Sequence, residues 1–132
     1  MIVLLGHRSV DAEAAAEEAR LPRELRRIDA ATLLADPAGC GERARRWLVD
    51  PGSGDGGGVA PLGPRRRRPA TLPAVTYPVP GGPDWHQLAL ALEPLARSPQ
   101  LLGVSVADFR ADLDPTGEHA AQIVELLNRV LP

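Results

Sequence analysis

Apolar rhythm is present at both ends of the chain and missing from its middle. Residues 2–5 (Ile-Val-Leu-Leu) are a continuous apolar run closed by Gly6, the pattern of a short strand buried in a parallel sheet. The loop Gly6-His7-Arg8-Ser9 follows, and Asp11 caps an Ala- and Glu-rich helix over residues 12–20. Residues 29–34 make a short helix. Asp36 and Pro37, as N-cap and first helical residue, open another whose amphipathic part covers 42–48. Periodicity then stops across residues 50–68, DPGSGDGGGVAPLGPRRRR. Residues 70–80 cannot be helical, because prolines at 73, 78 and 80 restrict the residues before them, and Gly81-Gly82 permits a turn. Asp84 caps a helix over 85–97 that carries Leu88, Leu90, Leu92 and Leu95. Residues 101–107 read as another buried strand, ended by Asp108. An acidic turn, with Asp114 or Thr116 as cap, leads into a last helix. Its inward stripe is Ala120, Ile123, Val124, Leu126, Leu127 and Val130.

Composition narrows the classes. With 132 residues the chain is one domain at most. It is 44% hydrophobic and 24% charged with a net charge of −2, so no general attraction to nucleic acid or to an anionic membrane is expected. Aromatic content of 3% leaves the core to Leu, Val and Ala. All 15 basic residues are Arg, which points to a GC-rich gene. The lone Cys40 excludes an intramolecular disulfide and reads as an idle thiol. No apolar run approaches membrane-spanning length, and residues 1–6 are too short for a signal segment, so the expected location is cytoplasmic.

The Gly-rich stretch contains no G-x-x-x-x-G-K-[ST] and no G-x-G-x-x-G set between a strand and a helix, so a phosphate loop is not expected there. The Arg65-Arg66-Arg67-Arg68 run is weak as a nucleic-acid patch against the acidic overall balance. His7 reads as a solvated loop histidine rather than a metal ligand, and His86 as solvent-facing near a helix start.

A Pro-stiffened loop ending in Pro78-Val79-Pro80-Gly81-Gly82, then a helix, a strand tipped by Asp108 and the turn Leu113-Asp114-Pro115 resembles the C-terminal end of the arginase (ureohydrolase) family. The resemblance is close over 69–132 and looser before it, where Gly6-x-Arg8 and Glu13 or Glu17 stand for a G-x-R-x-x-x-x-E segment. It implies a second short strand over residues 25–28. The implied fold is α/β, a partial and truncated three-layer αβα parallel sheet of the arginase type. A single partial domain over 1–132 divides into a strand/helix segment 1–49, an irregular segment 50–68 and a C-terminal loop–helix–strand–helix unit 69–132. The resemblance further implies a two-Mn²⁺ hydrolase that cleaves a guanidino C–N bond of arginine or an agmatine-like substrate and releases urea.

The metal chemistry is where this chain departs from the family. Just before Pro69 the family carries a strand whose Asp-x-Asp presents two carboxylates on one face to the metals. The corresponding positions here are Gly63 and Arg65, and neither ligates a cation. The early G-G-D-H and the D-x-H-x-D motifs are also missing. Pro83 and Gln87 replace the family's usual Leu and Glu, and Asp108 replaces its strand-end Glu. Asp108 is therefore the one candidate substrate-binding residue, no catalytic residue is intact, and no Mn²⁺ is expected to bind. Two accounts of residues 59–69 stand together. Alternating GAC and GTC codons, read out of frame, give CGA and CGT, both Arg, so a family strand translated out of frame would yield the Arg run. A degenerated linker would also read this way. The function expected is that of an inactive arginase-family fragment. The alternative is a non-enzymatic α/β module that self-associates or partners a full-length homologue through an open sheet edge.

Overall fold

A computed structural model describes residues 2–7, 25–50, 72–76 and 80–132. The fold is mixed α/β: two short strands in parallel, four helices and one 3₁₀ turn, with no sign of a three-layer sheet among the described residues. Strand β1 (Ile2–His7) pairs with β2 (Leu25–Asp29), Ile2 opposite Leu25 and Leu5 opposite Ile28. The register slips between Leu5 and His7, where Gly6 has a φ of 75° that costs a glycine little. A Cβ at Gly6 would also come within 3.2 Å of Leu33 Cδ2.

Strand β2 runs directly into one helix, and that helix into the next, through two carboxylate caps. Asp29 takes the N–H of Thr32 at 2.7 Å and opens α1 (Ala30–Ala35). Asp36 takes the N–H of Gly39 at 3.0 Å and opens α2 (Pro37–Val49), with Pro37 in its first turn. Helix α3 (Trp85–Ala96) begins with a reciprocal pair. Asp84 accepts from the Gln87 N–H at 2.8 Å, and the Gln87 side chain accepts from the Asp84 N–H at 3.1 Å. Gln87 thus serves the helix start. Pro94 lies within the last turn, so the Leu90 carbonyl loses its usual donor, and α3 ends two residues later.

Two small cores share α3. Ile28, Leu33, Cys40, Trp47 and Ala91 form the first, with Val3 and Leu5 packed against it. Ala89, Ala96, Leu126 and Val130 form the second, where α3 meets α4 (Glu118–Val130). Ala91 points to one core and Ala89 and Ala96 to the other, as helical spacing requires. Sequence pattern favours the leucines of α3 as its core residues. The most buried positions are instead the alanines: at Ala91 the close backbone approach of Gly41 on α2 leaves room only for a small side chain, and Ala89 and Ala96 pack with Leu126 and Val130 of α4. Cys40 sits in the first core, and burial pushes its thiol up from the ordinary value, consistent with an idle thiol.

The expected buried strand at 101–107 is not one. The segment lies outside regular secondary structure and is exposed along its length, Leu102 fully so. A strand apolar on both faces stays buried only between neighbours that pair its backbone, and no such neighbours occur among the described residues. Val124, assigned to the inward stripe of α4, is likewise 56% exposed, while Leu126 and Val130 are buried. Expectations for residues 8–24 and 51–71, including the Asp11-capped helix, Glu13, Glu17, Gly63, Arg65 and the Arg run, lie outside the described residues.

Candidate functional site

Asp108 lies where two separated pieces of chain meet. Val75 and Phe109 form an isolated antiparallel bridge, and the Arg110 N–H donates to the Ala74 carbonyl at 2.8 Å. Ala74 is completely buried beneath this contact. Asp108 has a φ of 62°, a left-handed conformation that Asp tolerates better than most residues. Its carboxylate accepts a hydrogen bond from the Thr76 hydroxyl at 2.8 Å. The tip of the expected strand thus faces the loop that leads into Pro80-Gly81-Gly82. Thr76 was not among the residues singled out by sequence; nothing in the Thr76-Tyr77-Pro78 stretch marks it before the fold brings it to Asp108.

Beyond Asp108 the charges pair with each other. Arg110 grips Asp112 through Nε at 2.7 Å and Nη2 at 2.5 Å. This bidentate contact holds the Asp112 carboxyl below its usual range and raises the guanidinium further. Asp114 is the buried carboxylate of the region. It accepts from the N–H of His119 at 3.1 Å and of Ala120 at 2.9 Å, capping α4 from beyond Gly117, while Thr116 is exposed. Burial raises its carboxyl, but the Ala120 and His119 N–H groups outweigh that and leave it below the ordinary value.

The sign of the resulting pH dependence follows. A depressed carboxyl contributes stability that is present above its ordinary value of 3.8 and lost as pH falls through the lower, folded one. The helical circular dichroism of α4 should therefore hold at neutral pH and decline in acid. Asp112 and Glu42, also lowered by their Arg partners, act in the same window. Asp114→Asn isolates one contribution: its acid unfolding should be shallower than that of the unchanged chain, and superimposable curves would remove Asp114 from the account.

An apolar groove of ≈480 Å³ runs beside this region between α3, α4 and the exposed segment, walled by Trp85, Leu88, Leu92, Val104, Val106 and Leu127. No polar cluster converges in it. Among the described residues, no three His, Cys, Asp or Glu side chains gather closely enough to hold a metal ion. His86 is exposed, and its Nδ1 lies 3.5 Å from Arg129 Nη2 on α4, away from Asp108. The side chains at hand do not fit a two-metal centre: Asp108 is occupied by Thr76, and the Asp-x-Asp positions carry Gly63 and Arg65. No helix among the described residues is long and apolar enough to cross a membrane. No family model, curated protein or solved structure matches this chain.

Proposed function

We propose that this chain carries the C-terminal part of an arginase-type ureohydrolase fold and has lost hydrolysis of the guanidino C–N bond. The observation that carries the reading is the contact of Asp108 with Thr76. It sets the carboxylate that follows the apolar run against the loop that enters Pro80-Gly81-Gly82 and α3. In that family two Mn²⁺ supply the nucleophile. Here the ligand positions hold Gly63 and Arg65, and a carboxylate shorter than the family's Glu takes the place that would face a substrate guanidinium. A cytoplasmic location and no nucleic-acid partner go with this reading.

The expected outcome of isothermal calorimetry with Mn²⁺ is no stoichiometric binding, and a urea assay with arginine and agmatine should show no release. Stoichiometric Mn²⁺ together with turnover would overturn the loss of activity.

A second reading, a non-enzymatic interaction module, is favoured by a separate observation: residues 101–107 present Leu101, Leu102, Val104 and Val106 to solvent. A chain that keeps such a run exposed has surface to offer a partner.

A further inference from the structure

Helix α4 carries a charge pair that does not close. Glu125 and Arg129 stand four residues apart with the acid first, the spacing and order at which opposite charges on a helix pair. Glu42 with Arg45 on α2, and Glu93 with Arg97 at the end of α3, do make such pairs. Among the described residues Glu125 has neither an ion pair nor a hydrogen bond. Arg129 turns across to α3 instead, where its Nη2 lies 3.5 Å from Nδ1 of His86. The two opposite charges are thereby held apart along one cleft between α3 and α4, lined by Trp85, His86, Gln122, Glu125, Leu126 and Arg129. Leu126 belongs to the second core and Trp85 packs against it, so the cleft also has an apolar side. Its volume is ≈280 Å³. That is room for about nine waters at their volume in the liquid, and so for a molecule of amino-acid size.

We propose that this cleft binds a free α-amino acid with an apolar side chain. The ligand's ammonium group meets the Glu125 carboxylate, and its carboxylate meets the Arg129 guanidinium. Its side chain lies against Trp85 and Leu126. A simple anion would face Glu125 with like charge, and a simple cation would face Arg129 in the same way. A peptide terminus brings one charge without the other. The two side chains start one helical turn apart, about 6 Å of rise. An ammonium and a carboxylate on one carbon bridge that gap with a hydrogen bond at either end. The cleft is shallow and the ligand small, so the expected Kd is on the order of millimolar. The proposal does not involve Asp108 and stands independently of the ureohydrolase reading.

Amide chemical shifts of the full chain, followed while leucine is added to several times the expected Kd, test this. Saturable shifts should appear at His86, Gln122, Glu125 and Arg129. N-Acetylleucine lacks the ammonium charge and leucinamide lacks the carboxylate, and each should bind about tenfold more weakly than leucine. Glu125→Gln should abolish the preference for leucine over N-acetylleucine and keep the preference over leucinamide. Arg129→Met should do the converse. Both side chains are exposed, so the helical circular dichroism of the variants should match that of the unchanged chain. Should a variant fail to fold, the ranking of the three ligands on the unchanged chain still decides. No saturable shift, shifts centred elsewhere, or equal binding of the three ligands would overturn the proposal. So would a preference for leucine that survives both substitutions.

Discussion

Trp47→Ala should weaken the hold of α2 on the strand pair. Trp47 is 4% exposed and joins Ile28, Leu33, Cys40 and Ala91 in the first core. The Arg26 guanidinium on β2 lies 5.6 Å from its ring centroid, so the residue also ties strand to helix through this contact. Truncating a buried aromatic costs about 3–5 kcal/mol. One term opposes this. Trp47 Nε1 is buried without a hydrogen-bond partner, and removing an unsatisfied donor recovers about 1–3 kcal/mol. The cavity and lost contacts outweigh this and leave a net loss of about 2 kcal/mol, a large share of the ~5 kcal/mol at the low end of the usual stability range, where a fold with two small cores sits. Urea titration followed by far-UV circular dichroism checks this: the midpoint of the variant should fall well below that of the unchanged chain. Trp47→Phe keeps most of the ring and removes the orphan N–H, so it should lie much closer to the unchanged chain. If Trp47→Ala melted like the parent, the first core would not be what holds β1, β2 and α2 together.

Gly41→Leu should separate α2 from α3. A Cβ at Gly41 would sit 2.2 Å from the Ala91 carbonyl oxygen and 2.9 Å from its carbon, both backbone atoms that cannot turn aside. Leucine has better helix propensity than glycine by about 0.5–1 kcal/mol, so an isolated α2 would gain from the change. Within the fold the helices must move apart, and overpacking of this kind costs about 1–3 kcal/mol or more. Since α3 contributes to both cores, the damage should spread to Leu126 and Val130 on α4. Gly41→Ala tests the same contact with one methyl group. It too should be destabilising, and a stabilised Gly41→Ala would show that the helices are not in backbone contact.

These two positions also show what sequence can and cannot carry. The caps at Asp29, Asp36 and Asp84 are local chemistry, a short carboxylate within reach of the N–H three residues on; Asp36 and Asp84 were legible as caps, while Asp29 was read as the first residue of its helix. The apolar run after Met1 was legible as a strand, and a short strand was expected over residues 25–28, but its parallel pairing with β1 was not. Gly41 was invisible, because its reason for being glycine is a carbonyl fifty residues away. The same distance hid the burial of Ala89, Ala91 and Ala96 behind the more hydrophobic leucines of α3. The run 101–107 has the composition of an interior strand, but composition cannot supply the neighbours that would make it one. At the candidate site Asp108 was found from its place after that run. Its left-handed backbone and its bond to Thr76 depend on a contact across 32 positions and left no local mark. Asp114 was legible as a cap, although it acts from three residues before the left-handed Gly117.

The proposal that this chain carries an arginase-type ending whose metal-binding strand has been lost is tested most directly by the nucleotide sequence encoding residues 50–69 together with the DNA upstream. The account predicts that another frame across this stretch spells an Asp-x-Asp strand running into Pro69, and that the upstream DNA encodes the D-x-H-x-D and early His motifs. A stretch with no Asp-x-Asp in any frame, behind upstream DNA that encodes none of those motifs, would contradict it.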